Sequence, residues 1–156
     1  EDIPAYKSRL EYELSVLKYP GMDVGIMAAA VADYRPEDVS LNKIKRTSEG
    51  MQVDLVANPD IAAALGASKQ EHQLLVGFAL ETENGIENAR LKLAKKNLDF
   101  IVLNPANEEG AGFMTDTNRV VILHANDDVQ QYELKSKTGV AEDIADAIQK
   151  YWDKDE

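Results

Sequence analysis

The stretch LLVGFAL at residues 74–80 contains no polar side chain, and the mainly apolar LDFIVL follows it at residues 98–103. Apolar runs of this length are typical of strands that other elements cover on both faces, as in parallel sheets. Between the two runs, Ile86, Ala89 and Leu93 recur at helical spacing, which predicts a helix with these three side chains facing inward. Strand, helix and strand in this order predict a parallel βαβ unit.

The same alternation extends to both sides of this unit. Further strands are predicted at residues 22–30, 51–56 and 119–125. Further helices are predicted at residues 5–18, 58–66 and 140–152. The polar triplet Asn126-Asp127-Asp128 separates two extended runs and predicts a hairpin turn. We therefore expect one domain over residues 1–156, of the α/β class, with a Rossmann-like doubly wound, mostly parallel sheet and an antiparallel edge hairpin.

Charge and composition narrow the range of partners. The 156 residues include 17 lysines and arginines against 28 aspartates and glutamates, a formal net charge of −11, and no cysteine. Non-specific nucleic-acid binding needs a basic stripe, and a disulfide, a thiolate nucleophile or a zinc–thiolate site needs cysteine. No apolar run approaches the ~20 residues of a membrane span, and no signal segment opens the chain. We expect a cytoplasmic protein that binds neither nucleic acid nor membrane.

Two groups of cations stand out against this acidic background. Lys43-Ile44-Lys45-Arg46 places three cations within four residues, after a predicted buried strand and its exit loop. Lys92 and Lys96 are four residues apart and share a face of the predicted helix at residues 84–97. Each group is explained either as a solvated surface or as part of a polyphosphate site, where lysine acts as a point charge.

Ligands of open α/β sheets bind beyond the carboxyl ends of the strands. Asp33 follows the first strand there, and either contacts a ligand, helps to place a divalent cation through water, or forms a turn before Pro36. Asn58 is predicted to cap the next helix, with Pro59 at its first position and Asp60 in its first turn. The amides of that helix start suit an anion or a base edge, or they belong to an ordinary cap. A Rossmann glycine fingerprint and a P-loop are both missing from the chain.

Taken in order, these segments resemble one family, the phosphopantothenoylcysteine synthetase domain of coenzyme A biosynthesis. The segments that carry the resemblance are AAAVADYRP (28–36), KIKR (43–46), NPDI (58–61), VGFALET (76–82), ARLK (89–92), KNLDFIVLN (96–104) and GFMTDTN (112–118). Together they cover roughly residues 22–150. Each motif alone is modest, but their order and spacing are specific.

The resemblance implies an enzyme that joins 4′-phosphopantothenate to cysteine. In the family's reaction, the substrate carboxylate attacks the α-phosphorus of CTP with Mg²⁺ present, which gives an acyl-cytidylate and pyrophosphate. The amine of cysteine then displaces CMP. The resemblance also implies a homodimer, and FMN only where a decarboxylase domain is fused upstream. Phosphoryl chemistry of this kind relies on cations and needs no covalent nucleophile, which suits a chain without cysteine.

The resemblance also assigns roles to individual residues. Lys43 is the leading catalytic cation on the triphosphate, and Lys92 and Lys96 also bind the nucleotide. The remaining contacts fall at the exit of the first strand, at the start of the following helix and in the apolar run at residues 74–80, and they comprise Met27, Ala28, Ala29, Asp33, Pro59, Asp60, Ile61, Ala62 and Phe78. The metal ligands are left open.

The chain departs from the family pattern in three places. Arg46 stands where a third lysine is common, and Leu80 stands where alanine is usual beside Phe78. The family's glycine-rich opening segment and its N-x-S-S-G stretch are not found in this sequence, so we expect the chain alone to be a poor catalyst. Two alternatives are a nicotinamide-dependent oxidoreductase on a related fold and a non-catalytic nucleotide-binding or dimerisation fragment.

Overall fold

The computed structural model describes residues 18–38, 40–45, 50–106 and 115–153. Apart from Lys18, the helix predicted at residues 5–18 lies outside these residues, as do Arg46 and residues 112–114 of the last family-like motif. After a short 3₁₀ helix at Tyr19–Gly21, the strands are β1 (Val24–Met27), β2 (Tyr34–Pro36), β3 (Leu55–Ala57), β4 (Leu74–Glu81), β5 (Phe100–Pro105), β6 (Thr117–Asn118), β7 (Val121–His124), β8 (Val129–Gln131) and β9 (Lys135–Ser136). The helices are α1 (Ile61–Ser68), α2 (Gly85–Lys95) and α3 (Lys137–Trp152).

The central sheet has five strands in the order β1-β4-β5-β7-β8. Strands β1, β4 and β5 are parallel neighbours, whereas β7 pairs antiparallel with both β5 and β8. The Rossmann-like α/β prediction with an antiparallel edge hairpin is therefore confirmed. Strands β2 and β3 form a separate two-stranded ribbon, and so do β6 and β9. In the part of the chain that the structure describes, no helix is long and apolar enough to cross a membrane.

Alternate side chains of the sheet enter two separate cores because successive residues of a strand point to opposite faces. On one face, α1 and α2 pack on the sheet, with Ile61, Ala89 and Leu93 in the core. On the other face, Val140 and Ile144 of α3 pack on the sheet. Strand β4 contributes side chains to both cores, which explains why its first residues are apolar without alternation.

Three local predictions differ from the structure. Helix α1 begins at Ile61, and its cap is Asp60, whose carboxylate accepts a hydrogen bond from the amide of Ala63. Asn58 is not the cap because its side chain bonds the loop after β1 instead. The strand predicted at residues 51–56 is confined to β3. Ile86 was predicted to face the core but is 39% exposed, since it lies in the first turn of α2 and lines an open cleft.

Gly66 brings α1 into backbone contact with the end of α2. A Cβ atom at this position would lie 1.9 Å from the carbonyl oxygen of Lys96, and the side chain of Asn97 donates a hydrogen bond to the Gly66 carbonyl at 2.8 Å. The close approach lies in the last turn of α1, while the Lys96 ammonium reaches Asp60 at the amino end of that helix. Glycine is therefore required here by space.

We expect Gly66→Ala to lower the free energy of unfolding by about 3 kcal/mol, because the added methyl group forces the two helices apart. Urea denaturation of the variant and the parent chain measures this. Gly21→Ala is the matched control, since a Cβ atom at Gly21 meets nothing within 4 Å. Equal stability of the two variants would contradict the close contact.

Candidate functional site

A cleft of about 530 Å³ opens beyond the carboxyl end of β1 and over the middle of β4. Ligands of open α/β sheets usually bind at this end of the parallel strands. Its walls come from the loop after β1, the start of α1, strand β4 and one face of α2. The lining includes Met27, Ala29, Ala30, Val31, Ala32, Asp33, Tyr34, Ala57, Asn58, Pro59, Asp60, Ile61, Ala62, Gly77, Phe78, Lys92, Lys96, Leu98 and Ile101.

The cleft brings together residues from separate segments that the family resemblance assigned to one site. Of that set, all but Ala28 and Lys43 line it. Ala28 is exposed at the end of β1. Lys43 is exposed in the irregular segment at residues 40–45, between β2 and β3. The structure therefore places Lys92 and Lys96 in one cleft and Lys43 outside its lining.

Asn58 ties two walls of the cleft together. Its side chain donates a hydrogen bond to the carbonyl of Ala32 at 2.7 Å, and its amide nitrogen donates to the carbonyl of Asp33 at 2.8 Å. Arg35 in turn donates to Asn58 Oδ1 at 3.2 Å and to the carbonyl of Ala57 at 2.9 Å. These contacts hold the loop after β1 against the chain that enters α1. Sequence reasoning missed this clamp because Asn58 also suited a helix cap.

Lys92 is held by an acidic side chain from the end of β4. Its ammonium donates to Glu81 Oε1 at 2.6 Å, and Asn88 donates to Glu81 Oε2 at 3.0 Å. The Glu81 side chain is only 14% exposed, whereas that of Lys92 is 44% exposed. The hydrogen bond from Lys92 is the main reason that the pKa of Glu81 is lowered, against the effect of burial. The carboxylate is thus ionised and fully engaged.

Lys96 has a similar but more open pairing. Its ammonium donates to Asp60 Oδ1 at 3.1 Å, and the Asp60 side chain is 42% exposed. Burial raises the pKa of Asp60, but the hydrogen bonds from the Ala63 amide and from Lys96 outweigh burial and leave the pKa lowered. The two lysines therefore enter the cleft with a carboxylate partner each, one buried and one half open to water.

Asp33 carries the uncommitted carboxylate of this cleft. Among the residues that the structure describes, its side chain makes no hydrogen bond or ion pair. These residues also contain no group of three or more histidine, cysteine or acidic side chains placed to hold a metal. Mg²⁺ is often bound by one or two carboxylates together with substrate phosphates. A single free carboxylate in the cleft fits that arrangement.

Aromatic side chains add an apolar surface beside the charges. Phe78 is 39% exposed and Tyr34 is 62% exposed, although both line the cleft. Exposed rings of this kind offer faces for a planar base.

Tyr34 and Glu81 were quoted in family-like motifs but given no role. The position of Glu81 at the carboxyl end of a buried strand was the signal that points to it.

Comparison with known proteins gives a consistent result. A model of the DNA/pantothenate metabolism flavoprotein C-terminal domain matches residues 9–151. A Cysteine/Cysteine sulfinic acid decarboxylase of an unknown prokaryotic organism is 50% identical over 132 residues, which are 85% of this chain and 37% of that protein. The Coenzyme A biosynthesis bifunctional protein CoaBC of Bacillus subtilis (strain 168) is 40% identical over 148 residues, 95% of this chain and 36% of that protein.

A solved structure agrees with these relatives. The crystal structure of the C-terminal domain of a Coenzyme A biosynthesis bifunctional protein CoaBC matches with a TM-score of 0.73 and 33% identity. It covers 92% of this chain and 61% of that one. The chain spans little more than a third of the two curated relatives described above, at 37% and 36% of their lengths. On the family match and these similarities, the chain belongs to the DNA/pantothenate metabolism flavoprotein C-terminal domain family.

Proposed function

We propose that this chain carries the nucleotide site of a ligase of coenzyme A biosynthesis, which joins 4′-phosphopantothenate to cysteine with CTP. The observation that carries the proposal is the cleft itself, where Lys92 and Lys96 face the start of α1 and the exposed ring of Phe78. Cations suit a triphosphate, and an exposed aromatic face suits a planar base. The 40% identity to CoaBC of Bacillus subtilis supports this class of reaction.

The proposed chemistry needs charge stabilisation rather than a nucleophile from the protein. The carboxylate of 4′-phosphopantothenate forms a bond to the α-phosphorus of CTP, and the bond to pyrophosphate breaks. The amine of cysteine then attacks the acyl carbon, and CMP leaves. Lys92 and Lys96 bind the charge of the phosphates, while Asn58 keeps the opposite wall in place. Asp33 is the residue that would hold Mg²⁺, which supplies further neutralisation of phosphate charge when bound.

We also propose that the protein acts as a homodimer. Large apolar side chains are exposed on the β2–β3 ribbon and beside it, where Tyr34 is 62% and Leu55 is 58% exposed. Ile44 and Met51 in the adjoining segments are 60% and 67% exposed. Large exposed apolar side chains are typical of contact surfaces between proteins when they form one patch, and β2 and β3 bring Tyr34 and Leu55 into one ribbon. Sedimentation of the chain at several concentrations measures its oligomeric state, and a monomer throughout would contradict the proposal.

The nucleotide site is tested by calorimetric titration of the chain with CTP and Mg²⁺. We expect Lys96→Met to weaken CTP binding about tenfold, because it removes a charged phosphate contact. Lys95→Met is the matched control, since it removes the same charge from the neighbouring position, which does not line the cleft. We expect the control to change the affinity less than about twofold. Equal losses in both variants would show that only net charge matters.

Further titrations separate the competing activities. Binding of NADPH in preference to CTP would favour the oxidoreductase alternative. CTP binding without pyrophosphate release would favour the non-catalytic alternative, provided that the assayed protein also carries the family's opening segment and receives 4′-phosphopantothenate and cysteine. Because one relative is named a decarboxylase, release of CO₂ from cysteine or cysteine sulfinic acid is measured in parallel. CTP-dependent loss of cysteine with pyrophosphate as product supports the ligase.

A further inference from the structure

We propose that Glu81 is a positioning residue, which holds Lys92 in the orientation that binds phosphate. This inference rests on the proposed function, and it adds a residue to which the resemblance assigns no role. Glu81 itself does not line the nucleotide cleft. It lines a second cleft of about 330 Å³ on the other side of its ion pair with Lys92. Glu81 therefore acts on a ligand in the first cleft only through Lys92.

Backbone and side-chain contacts fix the position of the Glu81 carboxylate. It ends strand β4, where its carbonyl accepts a hydrogen bond from the amide of Ala106 at 2.8 Å. Both carboxylate oxygens are engaged, Oε1 by Lys92 at 2.6 Å and Oε2 by Asn88 at 3.0 Å. A Cβ atom at Gly85 would lie 3.4 Å from Glu81 Cβ, so the start of α2 packs against this residue. Backbone, helix and lysine thus define one position for the carboxylate.

The Lys92 ammonium can still donate hydrogen bonds to a ligand while it is paired with Glu81. Lysine has three N–H donors, and one of those on Lys92 is directed to Glu81. The Lys92 side chain is 44% exposed, so the ammonium also reaches the cleft. A flexible lysine loses rotamer entropy when it binds phosphate, and a lysine that is already held loses less. Glu81 therefore lowers the entropic cost of the phosphate contact.

The pairing of Lys96 provides an internal contrast. Its partner Asp60 is 42% exposed, whereas Glu81 is 14% exposed, and the ion-pair distance is 3.1 Å rather than 2.6 Å. The Lys96 side chain is less exposed than that of Lys92, at 27% against 44%, so the contrast lies in the carboxylates: Asp60 is the more exposed one, and water and salt screen it more. Lys96 can exchange Asp60 for phosphate at small cost, whereas Lys92 keeps Glu81 when a ligand binds. Positioning by a carboxylate is thus specific to Lys92.

The direction in which one substitution changes the affinity for CTP distinguishes a positioning role from a purely Coulombic effect. Glu81→Gln removes one negative charge near the cleft, so Coulomb attraction alone predicts tighter binding of a polyphosphate. Loss of positioning predicts the opposite. We expect Glu81→Gln to weaken binding of CTP about tenfold in calorimetric titration. The control Glu87→Gln makes the same charge change on an exposed part of α2, and we expect it to leave affinity unchanged or slightly higher.

A double-mutant cycle shows whether Glu81 acts through Lys92. In a Lys92→Met background, we expect Glu81→Gln to change CTP affinity less than about twofold. A merely structural carboxylate would weaken binding equally in both backgrounds. If Glu81→Gln does not fold, Asn88→Ala tests the positioning role instead. It removes only the hydrogen bonds that the Asn88 side chain donates to Glu81 Oε2 and to the Glu83 carbonyl. We expect that variant to bind CTP about threefold more weakly.

Inorganic tripolyphosphate separates this inference from the proposed function. If the parent chain binds tripolyphosphate but not CTP, and Glu81→Gln weakens that binding, the positioning role stands while the cytidine nucleotide site fails. Unchanged or tighter binding by Glu81→Gln overturns the positioning role and leaves the CTP site intact. A parent chain that binds neither probe overturns both, since Lys92 is then not a phosphate ligand.

Discussion

Asp99→Ala is expected to lower the free energy of unfolding by about 3–5 kcal/mol, because it breaks a buried ion pair and leaves the other charge unpaired. The Asp99 side chain accepts hydrogen bonds from Lys69 at 2.7 Å, from the Leu75 amide at 2.7 Å and from Tyr151 at 3.2 Å. The side chains of Lys69 and Asp99 are each only 12% exposed. One carboxylate thus connects the end of α1, strand β4 and helix α3. Small domains are stable by about 5–15 kcal/mol, so this loss is a large share of the total.

Urea denaturation monitored by circular dichroism measures the effect. Asp146→Ala is the matched control, because it removes the same side chain from an exposed position on α3. We expect the control to change stability by less than about 0.5 kcal/mol. The double variant Asp99→Ala with Lys69→Met is expected to recover part of the loss, since no unpaired ammonium then remains. A loss below about 1 kcal/mol for Asp99→Ala would show that the ion pair is unimportant to folding.

In a protein that also carries the family's glycine-rich opening segment, Lys43→Ala is expected to slow release of pyrophosphate from CTP about 10²–10³-fold, with little change in CTP affinity. The resemblance assigns Lys43 to the triphosphate, yet the structure places its side chain at the surface, outside the lining of the cleft. A cation that meets the phosphates only during the reaction stabilises the transition state more than the bound ground state. The rate then falls while the affinity stays the same.

Single-turnover assays with 4′-phosphopantothenate, CTP and Mg²⁺ give the rate, and calorimetry gives the affinity. Lys45→Ala is the matched control, because Lys45 is exposed in the same segment and carries the same charge. Its rate is expected to stay within about threefold of the parent value. An unchanged rate in Lys43→Ala would remove this lysine from the reaction. A loss of affinity as large as the loss of rate would make it an ordinary binding residue.

The fold was predictable because its signals are local and repeated. The apolar run at residues 74–80 predicted strand β4, and Ala89 and Leu93 were correctly placed in the core. The polar turn at residues 126–128 correctly predicted the hairpin of β7 and β8. Ile86 and the cap of α1 were less predictable, because neighbouring elements decide which residues are covered and which side chain has another partner. Asn58 suits a cap in isolation but bonds Ala32 in the folded chain.

In the candidate site, too, some features were predictable from the sequence and others depended on the folded structure. Motif order pointed to most residues of the cleft, including Asp33, Phe78, Lys92 and Lys96. The pairings of Lys92 with Glu81 and of Lys96 with Asp60 could not be read from the chain, since their partners lie 11 and 36 residues away. The position of Lys43 outside the cleft lining was equally hidden, because an irregular segment has no periodicity that would orient it.

The sequence by itself determined the α/β class, the succession of buried strands and helices, and the family to which the chain belongs. Hydrophobic periodicity and motif order are properties of neighbours along the chain, so they are visible before folding. Only the tertiary structure decided which carboxylate holds which lysine and which asparagine joins the walls of the cleft. Hydrogen bonds and ion pairs act over about 3 Å, and folding alone brings distant residues within that range.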